Sequence, residues 1–166
     1  PMSRSNRLAR AKAIGEDVEG LVLDAVDGLQ AAVDPEDWYD AVVETTVGPR
    51  MTDAVTFSSI PVLERGTRVE IKACKRRVSN GDRGDRPGRW TFQVEQHERL
   101  VDEGAVYLLA VYEEVSATKQ LADMLAVPAS ILDSVLVERW YDVNRHEEEV
   151  AQLDWPQVIG REVVEI

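Results

Sequence analysis

The stretch Arg68-Val69-Glu70-Ile71-Lys72 decides the fold prediction for this chain. Apolar and charged residues alternate in it, which is the period-two pattern of a half-buried β-strand. Glu70 and Lys72 therefore leave one face of the strand, and Val69 and Ile71 leave the other. A carboxylate beside an ammonium group can hold a divalent cation next to a charge-neutralising group. The same spacing also occurs on strand surfaces without a chemical role, so the flanking segments must show whether this pair belongs to a functional site.

A second carboxylate comes from the segment before this strand. Residues 38–47 are rich in aromatic and β-branched residues and predict one strand, and Gly48-Pro49 predicts a turn. Residues 51–59 predict a second strand that starts near Asp53. We therefore expect a hairpin over residues 38–59 that returns Asp53 towards Glu70. These two carboxylates offer hard oxygen ligands suited to Mg²⁺ or Mn²⁺.

A long helix is predicted over residues 3–33. Apolar residues recur along it at intervals of three and four, as on one buried helical face. At about 100° per residue, Glu19 lies at the margin of that face and Glu16 lies nearly opposite. Glu19 is the better candidate for a residue that points into a cleft, although both positions also suit a solvated helix surface.

The glycine-rich segment 75–89 is locally basic in an acidic chain. Guanidinium groups bind phosphate oxygens bidentately, and such contacts position DNA without identifying its sequence. We expect the loop to contact DNA phosphates beside the site, and a solvated charged turn is the alternative. Its basic residues are Lys75, Arg76, Arg77, Arg83, Arg86 and Arg89, against Asp82 and Asp85.

The remaining pattern predicts an α/β fold, a single domain over residues 2–166 built on a mixed sheet. Almost every residue from 105 to 112 is apolar, as in a strand that is buried on both faces. The other predicted elements are a strand at 89–92, helices at 93–103, 118–126 and 128–137, and strand-like patches at 140–143 and 157–166.

Single polar side chains in the second half complete the candidate site. Gln93 and Gln96 share one side of the predicted helix, and either can hold a phosphate or a water molecule; we favour Gln96. His97 is expected to be an ordinary surface residue, and an alternative general base is the other reading of it. Cys74 is expected in the core or at a strand end, and Trp90 in the core rather than in a stacking contact. Two histidines and one cysteine make a zinc site unfavourable.

Composition bounds the setting of the protein. The 166 residues include 31 acidic and 19 basic residues, a net charge of −12, and residues 90–166 hold only 5 basic against 16 acidic residues. The acid excess, with only four lysines, resembles proteins of salt-loving organisms. The single cysteine excludes an internal disulfide and fits a reducing cytoplasm. No stretch approaches the roughly 18 apolar residues of a membrane span.

The order of these motifs resembles the PD-(D/E)xK nuclease superfamily. Its members have a helix with an acidic residue, a hairpin with an aspartate, a strand with E-x-K, and a helix that often carries glutamine. The resemblance covers about residues 12–112, and residues 113–166 would be an extension. Thr52 stands where the family's name-giving proline precedes the aspartate. The matching residues are Glu19, Asp53, Glu70-Ile71-Lys72, and Gln93 or Gln96.

The resemblance implies a restriction-endonuclease-like mixed central sheet flanked by helices, and a Mg²⁺-dependent DNA endonuclease. Asp53, Glu70, the main-chain carbonyl of Ile71 and Glu19 would hold the metal, and Lys72 would be the catalytic lysine. The pattern is closest to archaeal Holliday junction resolvases, of a halophilic archaeal or archaeal-virus type, which act as homodimers. The alternatives are a restriction or repair endonuclease, a non-catalytic nucleic-acid-binding viral or regulatory protein with the same fold, and an acidic interaction protein.

Overall fold

The structure is a computed structural model, and it describes residues 17–34, 36–44, 63–143 and 149–159. The elements in chain order are α1 (residues 17–25), β1 (Leu29–Ala31), β2 (Ala41–Val43), β3 (Arg68–Lys75), β4 (Arg77–Ser79), β5 (Asp85–Pro87), β6 (Arg89–Gln93), α2 (Val94–Asp102), β7 (Val106–Val115), β8 (Thr118–Pro128), α3 (Ala129–Leu136), β9 (Tyr141–Asp142) and β10 (Glu149–Asp154), with 3₁₀ turns at Gly81–Arg83 and Trp155–Gln157.

A five-stranded mixed sheet in the order β1-β2-β3-β7-β8 forms the centre of the fold. Strands β3 and β7 pair in parallel, and the other neighbours in this sheet are antiparallel. A parallel pair needs a crossover connection, and α2 lies in the segment that makes it. Further along the chain, β6, β10 and β9 form a three-stranded antiparallel sheet, and β4 pairs with β5. This mixed α/β arrangement confirms the predicted fold class.

Both faces of the central sheet are covered, because alternate residues of β7 enter two different apolar clusters. On one face, Val22 of α1 and Val26, just after its end, pack with Val69 and Ile71. On the other face, α2, α3, β6 and β10 surround the sheet. The largest side chains of this second cluster are Trp90, Phe92, Leu100, Tyr107, Leu109, Leu132, Leu136, Leu153, Trp155 and Ile159. Trp90 and Cys74 lie in this core, as predicted.

The first helix is shorter than the pattern predicted. Gly28 adopts a φ of 94°, a left-handed conformation that ends a helix readily, and the chain then forms β1. The prediction of a helix to residue 33 was therefore wrong at its end. Within the predicted strand at 38–47, the described residues 38–44 contain the short β2, and residues 45–47 lie outside the description. The predicted strand at 51–59, with Asp53, also lies outside the described residues.

The prediction of a helix at 118–126 was also wrong. These residues belong to β8, which pairs with β7 from Val106↔Pro128 to Val115↔Thr118. The two strands are joined by Ser116 and Ala117, whose φ values of 51° and 65° are those of a tight hairpin turn. β10 is another strand that the sequence analysis did not predict; it pairs with β6 over residues 150–154.

The basic segment is a β-hairpin rather than a loop. β4 and β5 pair from Arg77↔Pro87 to Ser79↔Asp85, and the tip is a 3₁₀ turn at Gly81–Arg83. The base of this hairpin is packed closely, because a Cβ added to Gly88 would lie 1.9 Å from the carbonyl oxygen of Lys75. Trp155 also donates hydrogen bonds to the Gly88 and Arg76 carbonyls at 3.2 and 2.9 Å.

In the described ranges, no helix is long and apolar enough to cross a membrane.

Candidate active site

The site forms around Glu70 in the centre of the sheet. Val69 and Ile71 enter the α1 side of the core, so the intervening Glu70 and the next alternate residue, Lys72, face α2. Glu70 is only 4% exposed. The Lys72 Nζ lies 2.8 Å from Glu70 Oε1, and the Lys72 side chain is 21% exposed, so the two form a partly buried ion pair rather than a surface pair. Glu70 and Lys72 thus leave the same face of β3, as predicted.

Gln96 of α2 closes a triangle with these two side chains. Its Nε2 donates to Glu70 Oε1 at 2.8 Å, and its Oε1 accepts from Lys72 Nζ at 2.9 Å. The amide therefore bonds the acid through its donor and the ammonium through its acceptor, which fixes its orientation. Gln93 is an exposed residue at the end of β6, paired with Val150. Of the two glutamines, the structure brings Gln96 to Glu70.

A residue that the sequence analysis missed, Asp40, lies beside Glu70. Asp40 directly precedes β2, and its backbone N–H donates to the Val69 carbonyl at 2.9 Å. Its Oδ2 accepts the Ile71 N–H at 2.7 Å. The pairing of β2 with β3 ends beside this position. The Asp40 carboxylate thus accepts a hydrogen bond from the Ile71 N–H that a backbone carbonyl would accept in a continued strand pair. The Ile71 carbonyl leaves β3 on the same side as the Ile71 N–H, towards Asp40.

Two stacked pairs hold the segment that carries Asp40. The Arg99 guanidinium of α2 lies 3.3 Å from the ring centre of Trp38, and the Arg68 guanidinium lies 5.4 Å from that of Tyr39. Cation–π contacts of this kind contribute about 0.5–2 kcal/mol each. The Trp38 carbonyl also accepts from Gln96 Nε2 at 3.4 Å. α2 therefore contacts both the Asp40 segment and the Glu70 pair.

The electrostatics of the site favour a cation. Burial, assisted by the Asp40 charge, raises the pKa of Glu70 to about 7, although Lys72 and the Gln96 hydrogen bond oppose the rise. Two carboxylates beside one ammonium group leave a net negative charge when both are ionised. Because Glu70 is shielded from water, ionising its carboxyl group costs free energy, and a bound cation would offset that cost.

The oxygen atoms present fit a magnesium-type site. Within the described segments, Asp40 Oδ1 and Glu70 Oε2 accept no hydrogen bond from protein, since the bonds above use Oδ2 and Oε1. The same segments hold no group of three or more His, Cys, Asp or Glu side chains able to bind a metal. Mg²⁺ commonly uses one or two carboxylates and keeps several waters, so this pair with the Ile71 carbonyl fits it.

The other predicted site residues lie apart from this cluster or outside the description. Asp53 is not among the described residues and stays a prediction. Glu19 is half-buried on α1, the helix that packs on the face opposite to the Glu70 side chain. Glu16 is also outside the described residues. The signal that would have found Asp40 is its position directly before the apolar run of β2.

His97 corrects another prediction, because it is buried rather than at the surface. It is 1% exposed, and its ring nitrogens lie 3.0 Å from the Tyr107 hydroxyl and 3.1 Å from Asp133 Oδ1. In the sequence it stands as a lone histidine on a predicted helix. Its partners come from β7 and α3, so no local pattern around residue 97 identifies them.

The basic residues of the predicted DNA-binding segment divide into two groups. Three of them form ion pairs with carboxylates: Lys75 with Glu114 at 2.6 Å, Arg76 with Glu113 at 3.3 Å, and Arg89 with Asp154 at 3.0 Å. The other three, Arg77, Arg83 and Arg86, form no ion pair with any carboxylate in the described parts of the chain. The arginines without an ion pair are thus on the β4–β5 hairpin itself, which also carries Asp82 and Asp85.

The fold and the site together define an α/β protein with a paired-carboxylate and lysine centre on its central sheet. The family model of the PD-(D/E)XK nuclease superfamily domain matches residues 5–160, nearly the whole chain. The chain therefore belongs to this superfamily. No curated protein and no solved structure gives a significant match to it.

Proposed function

We propose that the protein is a divalent-metal-dependent DNA endonuclease with Asp40, Glu70, Lys72 and Gln96 at its active site. The observation that carries the proposal is the partly buried triangle of Glu70, Lys72 and Gln96, with Asp40 beside it where β2 separates from β3. Membership of a nuclease superfamily supports the reaction class, and DNA is the substrate that the superfamily implies.

Each residue has a distinct role in this proposal. Asp40 Oδ1, Glu70 Oε2 and the Ile71 carbonyl would hold Mg²⁺ or Mn²⁺. The cation supplies Lewis acidity to a phosphate oxygen when it is bound. Lys72 presents its ammonium group to the negative charge that develops on the phosphate, and its bonds to Glu70 and Gln96 fix it before substrate arrives. Gln96 holds the side chains of Glu70 and Lys72 in a fixed orientation.

The activity test is nicking of supercoiled plasmid with and without Mg²⁺. Glu70→Ala and Lys72→Ala should each lower the rate about 10²- to 10⁴-fold, the usual range for loss of a catalytic side chain. Lys119→Ala, which removes a peripheral ion pair with Asp17, should retain the wild-type rate. Wild-type rates in both site variants would refute the proposed centre.

A second comparison separates Asp40 from Asp53 as the partner of Glu70. If Asp40 is the metal ligand, Asp40→Asn should abolish nicking and weaken Mn²⁺ binding measured by titration calorimetry, and Asp53→Asn should leave both unchanged. Asp40→Asn keeps an acceptor for the Ile71 N–H, so the backbone contact at 2.7 Å survives. Loss of Mn²⁺ binding in Asp53→Asn alone would assign the role to Asp53 and refute that of Asp40. Glu19→Gln tests the remaining predicted ligand.

We expect the β4–β5 hairpin to bind the DNA backbone through Arg77, Arg83 and Arg86. Arginine–phosphate contacts release counterions, so binding weakens with salt by a slope of about 0.9 per phosphate neutralised. Arg83→Glu at the hairpin tip should lower duplex affinity and reduce that slope by about one, measured by fluorescence anisotropy across KCl concentrations. Arg139→Glu, near the end of α3, is the charge-matched control. Equal binding by wild type and Arg83→Glu would exclude the hairpin.

Branched DNA is the narrower substrate proposal. Two cuts placed symmetrically in a four-way junction need two sites, and a twofold homodimer would provide them. Comparison of a synthetic four-way junction with a linear duplex of the same arms tests the preference. Faster cleavage of the junction, with paired nicks, supports a junction-resolving enzyme. Equal or faster cleavage of the duplex favours a restriction or repair endonuclease of the same fold.

A further inference from the structure

His97 joins three elements of the fold in the core beside the proposed site. Its Nδ1 lies 3.0 Å from the Tyr107 hydroxyl of β7, and its Nε2 lies 3.1 Å from Asp133 Oδ1 of α3. The imidazole stacks on the Tyr107 ring at 5.8 Å, with 19° between the planes, and Trp140 lies 5.6 Å away. Both ring nitrogens are thus engaged, although the residue is almost fully buried.

The hydrogen-bond directions follow from the chemistry of the partners. A carboxylate only accepts, so the Nε2–H of His97 donates to Asp133. The neutral ring then has one acceptor left, Nδ1, which accepts from the Tyr107 hydroxyl. Burial lowers the pKa of His97, although Asp133 opposes the shift, which agrees with a neutral imidazole. The three side chains therefore form a directed chain from β7 through α2 to α3.

This chain is tied to the site at two points. Gln96 immediately precedes His97 on α2, and Tyr107 is the register partner of Glu70 in the β3–β7 pair. α2 therefore presents Gln96 to Glu70 and His97 to the strand residue beside Glu70. A rotation or slide of α2 that disturbs His97 also moves the Gln96 amide.

Packing of apolar groups does not by itself fix such a position. The buried residues of α2 are His97 and Leu100, and apolar contacts have no directional preference. The Gln96 amide must meet Glu70 at 2.8 Å and Lys72 at 2.9 Å. Hydrogen bonds weaken steeply when their distance or angle changes, so α2 needs a directional restraint.

We propose that His97 is a positioning residue, which with Tyr107 and Asp133 fixes α2 so that Gln96 orients Glu70 and Lys72. The inference rests on the proposed function only in its prediction for kcat, and the positioning of Gln96 can be tested without activity. Asp133 is the cleanest residue for a test, because its side chain is 55% exposed and bonds to His97 from the side of α3. Among the described residues, the hydrogen bond to His97 is the link from its carboxylate towards α2, so its removal tests that link directly.

The kinetic experiment measures kcat and KM for Asp133→Ala. We expect kcat to fall about 10- to 100-fold with KM nearly unchanged, the range found when a supporting partner of an active-site group is lost. Ser134→Ala, at the next α3 position, removes an exposed hydroxyl bonded to the Ile131 carbonyl and should retain wild-type kcat. The effect of Asp133→Ala should disappear in a Gln96→Ala background, because the coupling passes through Gln96. Additive losses in the double variant would overturn the proposal.

A spectroscopic experiment tests the same inference without activity. In ¹⁵N-labelled protein, the side-chain NH₂ signals of Gln96 are assigned by their loss in Gln96→Ala. Asp133→Ala and Tyr107→Phe should shift them towards the values of solvated glutamine, and Ser134→Ala should not. Unmoved signals in the first two variants would refute the positioning role. Absence of cleavage by the wild-type protein would instead refute the proposed function and leave this result intact.

Discussion

Replacing Glu70 by glutamine should change how the stability of the metal-free protein depends on pH. In wild type, burial and the Asp40 charge raise the pKa of Glu70 from 4.5 to about 7 in the folded state. The unfolded chain loses that proton near pH 4.5, whereas the folded protein retains it until about pH 7. The folded state binds more protons over this window, so its stability falls as the pH rises through it.

The magnitude follows from the size of the pKa difference. Each pKa unit corresponds to 1.36 kcal/mol, so the shift from 4.5 to about 7 amounts to about 3 kcal/mol. Wild type should lose about this much stability between pH 4 and pH 8 because of Glu70. Glu70→Gln keeps the size of the side chain and has no proton to lose, so it should not show this loss.

The assay is urea unfolding of both proteins in EDTA at intervals between pH 4 and pH 8. The quantity of interest is the difference between their free energies of unfolding, because other titrating groups cancel in it. That difference should change by about 3 kcal/mol in favour of the variant as the pH rises. Curves that stay parallel over the whole range would refute the buried, charge-coupled state of Glu70. Saturating Mg²⁺ should stabilise wild type at pH 8 and have little effect on the variant.

Three further predictions concern other positions. Ala117→Gly should stabilise the protein by roughly 0.5–1 kcal/mol in urea unfolding, since Ala117 has a φ of 65° that glycine adopts without strain; no gain would contradict the turn geometry. Gly88→Ala should destabilise it by about 1–3 kcal/mol, because the added Cβ meets the Lys75 carbonyl at 1.9 Å. Gly81→Ala is the comparison, because at its φ of 61° the added Cβ strains the backbone but meets nothing within 4 Å. Burial lowers the pKa of His97 below 6.5, so wild type should lose stability relative to His97→Asn as the pH falls below 6.5; a constant difference would exclude a buried neutral imidazole.

The parts of the fold that were predicted well are those in which local pattern and tertiary environment agree. β3 occupies Arg68–Lys75, as its alternation indicated, and α2 occupies Val94–Asp102, one residue inside the predicted range at each end. The apolar run of β7 is buried on both faces. In each case the hydrophobic period of the segment already matches the surfaces that it contacts.

β8 shows where local pattern fails. Leu121, Met124 and the alanines around them have good helix propensity, but propensity is a weak preference. Here β7 offers a complete row of backbone partners, and the tight turn at Ser116 and Ala117 places the chain alongside it. The gain from this pairing depends on residues outside the segment, so the segment's own composition cannot reveal it.

The site was predicted in part for the same reason. Glu70, Lys72 and Gln96 lie on well-predicted elements, and the structure brings them together. Asp40 was missed because its role depends on the point at which β2 separates from β3, which is a property of sheet register. His97 was misjudged because its partners lie on other elements. A sequence pattern shows which residues share a face of one helix or strand, but it does not show which residues of different elements are in contact.

The parallel pairing of β3 with β7 has a consequence for the order of folding. The β7–β8 hairpin joins residues that are close in sequence, whereas β3 and β7 meet only after the chain between residues 75 and 106 has closed a long loop. Short-range contacts form faster than long-range ones, so the hairpin should gain protection from hydrogen exchange before β3 does. Asp40, Glu70 and Gln96 come together only after β3 has paired with β7. A nascent or partly unfolded chain would therefore lack the proposed centre, and the proposed nuclease activity would arise only with the final tertiary fold.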